Sequence, residues 1–221
     1  IRRPMKPAEE FDPEELFALA NPTQPKPAYN SGFPVDFAWN KDLSSGNNFA
    51  SARLIDRNYM ILNTDDASAA QSGYTFDYSN GWSENSTLTT WQSWMFRRAP
   101  GFFDMTTYKG DYVYGRDIPH NLGAVPEMMW VKSIDGSYSW NVYTAARGGT
   151  EYMQVDGGSE SQVNSNFWQD TDPTAEHFTV SGHDVVNGVT KNYMAMLWAS
   201  VPGICDIGNY TGIAAGNAGQ N

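Results

Sequence analysis

Three histidines, one cysteine and a run of acids are the residues of this chain that could carry acid–base, nucleophilic or metal chemistry near neutral pH. His177 and His183 bracket Ser181-Gly182. A tight turn there would bring them together, and Cys205 would complete a three-ligand zinc set. Structural zinc sites use closely spaced ligand pairs, which this trio lacks. The expectation is that His183 caps a turn, that His177 lies on a strand face, and that His120, in Pro119-His120-Asn121, is hydrogen-bonded scaffolding where a strand starts. The acids Asp156, Glu160, Asp170, Asp172 and Glu176 collect in one stretch rich in Gly, Ser and Asn. Two carboxylates about 5–10 Å apart with unlike pKa values would serve glycoside cleavage. Spread over a solvated loop they are the ordinary surface of an acidic chain, and that is the expectation. Asp170-x-Asp172 lacks the surrounding loop that would make a calcium site specific. The sequence holds no G-x-S-x-G elbow, phosphate loop, dinucleotide fingerprint or H-E-x-x-H helix. No catalytic, cofactor or metal residue is assigned, and a non-enzymatic protein is expected.

Binding chemistry rests on aromatics and arginines. Trp82 and Trp168 lie beside Ser79-Asn80-Gly81 and Asp170-Thr171-Asp172, so each is a candidate for an exposed ring that stacks on a glycan or receptor. Trp39, Trp130, Trp140, Phe96 and Trp198 recur or alternate in strand context and are expected in the core. Arg97-Arg98 follows a strand rich in Trp and Met and is a candidate for a subunit contact or for a contact to the acidic loop. Two sequons, Asn85-Ser86-Thr87 and Asn209-Tyr210-Thr211, matter in a secretory pathway alone.

The framework that must position these groups is read from composition. The chain has 221 residues, with 25 acids against 14 bases and a formal net charge of −11. That charge argues against nucleic acid and anionic membrane as partners. No stretch approaches a membrane span, Ile1–Pro7 lacks the apolar core of a secretory signal, and a soluble chain is expected, one that is a segment of something longer. The lone Cys205 excludes an intrachain disulfide and fits assembly in a reducing cytosol. Aromatic residues at 14% with charged residues at only 18% favour strands over helices. At the N-terminus, Asp12-Pro13-Glu14-Glu15 reads as a helix start with Phe11 stapled on Leu16, predicting a short helix over 13–20 that Asn21-Pro22 stops. Prolines 7, 13, 22, 25 and 27 make the rest of 1–30 an extended arm.

From Gly32 onward the segments are short and alternating. Tyr138, Trp140 and Val142 share one parity, the mark of a half-buried strand. Asn187-Gly188 predicts a two-residue hairpin turn, and Asn80-Gly81 a similar one. An internal repeat organises the whole. Pro100-Gly101-x-x-Asp104-x-x-x-Tyr108-x-Gly110 returns 102 residues later as Pro202-Gly203-x-x-Asp206-x-x-x-Tyr210-x-Gly212. The same offset runs back through Trp91 and Tyr193 to Phe76 and Phe178. Upstream, Trp39-x-Lys41 matches Trp130-x-Lys132, and Tyr59-Met60 matches Tyr152-Met153. The second copy carries extra residues of loop composition between Met153 and Glu176. The expected fold is all-β: an arm with a short helix over 1–30, then tandem antiparallel sandwich-like repeats over 31–112 and 113–221. Separate cores and one shared core both remain open.

Asn121-Leu122-Gly123-x-x-Pro126-Glu127-Met128-Met129-Trp130-Val131-Lys132, Trp140-x-Val142-Tyr143, Asp172-Pro173-Thr174 and the Pro-Gly close resemble a repeat domain of bacteriophage structural and tail-fibre-like proteins, met chiefly in phages of marine bacteria. The first copy matches through Gly32–Lys41 and Phe96–Asp104, so the resemblance covers most of Gly32–Gly212 and leaves the arm outside. It implies a virion component assembled in the host cytoplasm: a tail fibre or appendage that contacts other virion proteins and attaches to a host-surface glycan. Closed homo-oligomeric symmetry, a trimer for a fibre, is implied too. The alternatives are a capsid decoration or head-fibre protein, and a polysaccharide-degrading glycoside hydrolase of a phage tail. The resemblance supplies no catalytic motif.

Overall fold

The computed structural model describes residues 5–23, 25–84, 90–157 and 160–210, and its regular elements are almost all antiparallel strands. The first eight are β1 (Phe17–Ala20), β2 (Tyr29–Asn30), β3 (Phe37–Asp42), β4 (Asn48–Ala52), β5 (Asn58–Ile61), β6 (Ala69–Ala70), β7 (Gly81–Trp82) and β8 (Trp91–Phe96). The next eight are β9 (Phe103–Lys109), β10 (Arg116–Pro119), β11 (Met128–Ser133), β12 (Asn141–Thr144), β13 (Glu151–Gln154), β14 (Gln162–Val163), β15 (His177–Val180) and β16 (Asn192–Trp198). Among the described residues no helix is long and apolar enough to cross a membrane.

Pairing shows how complete the duplication is. One six-stranded sheet runs β1-β8-β3-β4-β5-β6, the other β9-β16-β11-β12-β13-β14, and the two-stranded ribbons are β2-β7 and β10-β15. Adding eight to every strand of the first half gives the second. The repeated unit is therefore β1–β8 and β9–β16. Residues 1–30 carry the first unit's edge strand, with Phe17 opposite Phe96. Phe103–Lys109, grouped by sequence with the first repeat, hydrogen-bonds along β16 in the second sheet.

Strand periodicity then sorts side chains between layers. In β16, Met194, Met196 and Trp198 face one cluster, with Phe37, Ala50, Met60, Phe103 and Trp140 from both sheets. Tyr193, Ala195 and Leu197 face a second cluster under the β10-β15 ribbon, with Ile118, Phe178 and Val180. Tyr29, Trp82, Tyr74, Phe76 and Met95 form the matching cluster under β2-β7. The halves thus share the central core, and each keeps an outer one. Because both faces of the large sheets are covered, β12 is not half-buried as its pattern predicts: Asn141, Val142 and Tyr143 are all buried.

Two further local expectations differ from the structure. The helix over 13–20 is only a 3-10 turn, Pro13–Glu15, in which Glu15 Oε2 accepts the Asp12 N–H at 3.2 Å. Phe17–Ala20 then joins β8 as a strand. A helix cut off by Asn21-Pro22 is too short to be stable alone, whereas β8 offers a ready edge of unpaired backbone groups. Asn187-Gly188 is not a hairpin turn; it closes one turn of helix, Asp184–Asn187, whose first residues are capped by His183 Nδ1 accepting from Val185 N–H at 3.4 Å.

Candidate functional site

Trp82 and Trp168, the expected glycan contacts, are both fully buried. Trp82 is stacked between Tyr29 and Phe76, with centroids 5.2 Å away on each side, and its Nε1 donates to Ser93 Oγ at 3.0 Å. Trp168 lies edge-on to Tyr143, and the neighbouring Phe167 stacks on Tyr152 at 3.6 Å. Phe167 and Trp168, within the longer loop of the second copy, fold back as a plug for the outer core, so the loop composition around them misleads about their exposure. Neither indole presents a face to a sugar. Arg97 lies over the Phe11 ring at 4.6 Å. Arg98 reaches Asp36 at 3.6 Å and Asp104 at 4.0 Å, so its carboxylate partners come from β3's approach and β9 rather than from the acidic loop.

The titratable candidates are dispersed. His120 Nδ1 accepts the Leu122 N–H at 3.2 Å while Nε2 faces Thr174 O at 3.2 Å, a pattern that fixes the neutral tautomer. Burial also pushes its pKa down. His177 meets Thr174 Oγ1 at 3.2 Å and Asp117 at 3.7 Å, and His183 caps its helical turn. Among the described residues no three His, Cys, Asp or Glu groups converge on a metal position, so the His177–His183–Cys205 trio is not assembled. Asp156 Oδ1 accepts the Trp140 N–H at 3.0 Å, and Asp172 Oδ1 accepts the Gly149 N–H at 2.7 Å. These two acids hold backbone; Glu160, Asp170 and Glu176 are exposed. The sequon at 85–87, and Thr211 of the second, lie outside the described residues.

Sequence reasoning missed a carboxylate clamp that both units use. Asp36 Oδ2 accepts the Arg98 N–H at 2.8 Å, fastening the chain as it leaves β8 to the start of β3. Its counterpart Glu127 accepts the Ser200 N–H at 2.9 Å and the Ser200 hydroxyl at 2.8 Å. The signal was present: each acid stands three residues before the repeated Trp39 or Trp130. Beside the first clamp lies Asp104, fully buried, whose Oδ2 accepts the Asn121 N–H at 2.7 Å. Burial raises its pKa above the ordinary aspartate value.

The surface feature best built to meet a partner is the loop between β9 and β10, Asp111-Tyr112-Val113-Tyr114-Gly115. Tyr112, Val113 and Tyr114 are 43%, 53% and 62% exposed. Buried Asn187 anchors the loop from beneath. Its Oδ1 accepts the Asp111 N–H at 3.1 Å, its Nδ2 donates to Asp111 Oδ1 at 3.0 Å and to Val113 O at 2.9 Å, and its carbonyl accepts the Tyr112 N–H at 2.8 Å. Arg116 Nη1 adds a 3.3 Å ion pair to Asp111. Partial burial would raise the Asp111 carboxyl, but hydrogen bonds from Val113 N–H and Asn187, with Arg116, outweigh it and hold the carboxyl low. Any side chain at Gly182 would collide with the Tyr112 carbonyl and the Tyr114 ring, so that glycine lets the tyrosines lie close over β15's end. The result is a rigid loop carrying an apolar, hydroxyl-tipped surface, a composition suited to stacking and hydrogen bonding. An Asn 74 to 76 residues away in sequence holds it, which explains why no local motif announces it.

No curated protein and no solved structure matches the chain. A domain family of unknown function, DUF7483, matches residues 79–220, from β7 through the whole second unit. That span is well over half of the sequence, and the chain belongs to the DUF7483 family.

Proposed function

We propose that this protein is a non-enzymatic structural component of a bacteriophage particle, in a tail fibre or other appendage, and that it contacts a host-surface glycan through Tyr112 and Tyr114. The Asn187-anchored loop carries the reading, because it sets two exposed aromatic rings on a rigid support. The resemblance of the repeated segments to phage structural repeats supplies the setting. Two units welded through one core suit a part that must stay rigid while displaying loops. Several copies on one particle would multiply a weak contact into firm attachment. Of the acids that could serve hydrolysis, Asp156 and Asp172 accept backbone N–H groups, as Glu127 does in its clamp.

The test is binding of the purified chain to host cells. Saturable binding that Tyr112→Ala with Tyr114→Ala reduces by about tenfold or more, while thermal stability stays unchanged, is the expected result. Equal binding by parent and variant overturns the contact. Release of reducing ends from host polysaccharide by the parent overturns the non-enzymatic reading.

A further inference from the structure

The linkers that follow β8 and β16 are built alike. Each holds a Pro-Gly turn whose glycine takes positive φ, 89° at Gly101 and 77° at Gly203. Ala99 N–H donates to Phe103 O at 3.0 Å and Phe103 N–H returns to Ala99 O at 3.2 Å; Val201 and Cys205 exchange the same bonds at 2.8 and 3.0 Å. Both turns reverse the chain for a new strand. After the first, Phe103-Asp104-Met105-Thr106-Thr107-Tyr108 runs along β16 as β9. After the second, the matching Cys205-Asp206-Ile207-Gly208-Asn209-Tyr210 pairs with no strand among the described residues. Ile207 N–H reaches only Ser200 Oγ, at 2.9 Å, and Tyr210 is 94% exposed.

Register identifies the slot this segment fits. β9 sets Phe103 opposite Trp198 and Thr107 opposite Met194. Carried through the repeat offset, Cys205 falls opposite Phe96 and Asn209 opposite Gln92, along β8. In this chain β1 holds that edge, with Phe17 opposite Phe96 and Ala20 opposite Ser93. It holds it incompletely. Asn21-Pro22 ends β1 after four residues, so Trp91 and Gln92 have no strand on that side among the described residues. Phe17 and Leu19 are themselves 38% and 53% exposed.

We propose that Cys205–Tyr210 is a donated strand, which adds to the β8 edge of a second copy of this chain and displaces β1 there. In the slot, Ile207 turns to the inter-sheet core as Met105 does, and Tyr210 lies opposite Trp91 as Tyr108 lies opposite Tyr193, on which it stacks at 5.2 Å. Within its own chain Cys205 and Ile207 rest half-buried against the margin of the shared core, and Ile207–Tyr210 line a groove with Met128, Thr144 and Met153, on the other sheet from β8; donation moves them to the equivalent margin of the second copy. Donor and acceptor are different patches, so the contact is head-to-tail and propagates into a ring or a filament. This association stands on the repeat alone and holds wherever the protein works.

Paired cysteines test it. In a Cys205→Ser background, Gln92→Cys and Asn209→Cys would face each other across the new strand pair at a separation a disulfide spans. Mild oxidation of the purified double variant gives a ladder of dimers and larger species on a non-reducing gel. Gln92→Cys with Gly208→Cys, one residue out of register, gives none. Monomer alone, or an intrachain disulfide, overturns the proposal. The unsubstituted chain gives an independent reading by sedimentation over a concentration series. Association that Ile207→Asp weakens by roughly tenfold or more, the effect of a charge in an apolar slot, is expected, and a monomer at every concentration overturns the proposal.

Discussion

Trp140 ties the two large sheets together, and replacing it with phenylalanine measures how strongly. Its indole is fully buried in the shared core, and Nε1 donates to Ile61 O, at the end of β5 in the other sheet, at 2.8 Å. Phenylalanine leaves that part-buried carbonyl without its donor, at about 1–3 kcal/mol. The lost ring atoms and the void behind them cost roughly 1 kcal/mol more. A chain of this size loses about 2–4 °C of Tm per kcal/mol, so Trp140→Phe lowers Tm by about 4–16 °C. The assay is thermal and urea unfolding followed in parallel by far-UV circular dichroism and tryptophan fluorescence. One coincident transition, displaced as a whole, is expected because the halves share a core. Two transitions of which only one moves would refute the shared core, and a displacement below about 1 °C would refute the role assigned to the indole.

The two buried loop tryptophans differ in a way that substitution reads out. Trp82→Phe gives up the bond to Ser93, whereas Trp168 Nε1 has no hydrogen-bond partner, so Trp168→Phe is milder by about 1 kcal/mol in urea unfolding; Trp82→Ala and Trp168→Ala each cost about 3–5 kcal/mol. Asp104 has a folded pKa raised by burial, so its contribution to stability is full below the ordinary aspartate range and is lost as pH rises through the folded value. Asp104→Asn therefore gains stability relative to the parent as pH rises from about 4 toward neutrality, and a difference independent of pH in chemical denaturation contradicts this. Asn187→Ala removes the anchor of the tyrosine loop, costs about 1–2 kcal/mol through the lost part-buried hydrogen bonds to Asp111 and Val113, and speeds amide exchange at Tyr112 and Val113; unchanged exchange would contradict the anchoring role.

The all-β class and the duplication were legible because strand alternation and a long in-order repeat are local or self-referential signals. What β1 does was not legible. Asp12–Glu15 carries real helix-start chemistry, yet four residues before a proline cannot compete with an open sheet edge, and only pairing with Phe96 reveals that edge. The covering of Trp82 and Trp168 was hidden for a related reason. Gly, Ser, Asn and Asp around a tryptophan signal a loop but not whether the loop lies on a core, as this one does through Phe167 on Tyr152. The candidate site depends on Asn187, which the dipeptide Asn-Gly assigned to a turn and the tertiary structure assigns to holding Asp111 and Val113. The acid clamps at Asp36 and Glu127 were within reach, since the repeat aligns them three residues before its tryptophans.

Gold-labelled antibody raised against residues 113–221, applied to intact phage particles from a lysate in which the chain is produced, tests the central claim most directly. The account predicts label on the particle at a tail fibre or other appendage. Particles that carry no label, while the chain is recovered free of them, would contradict it.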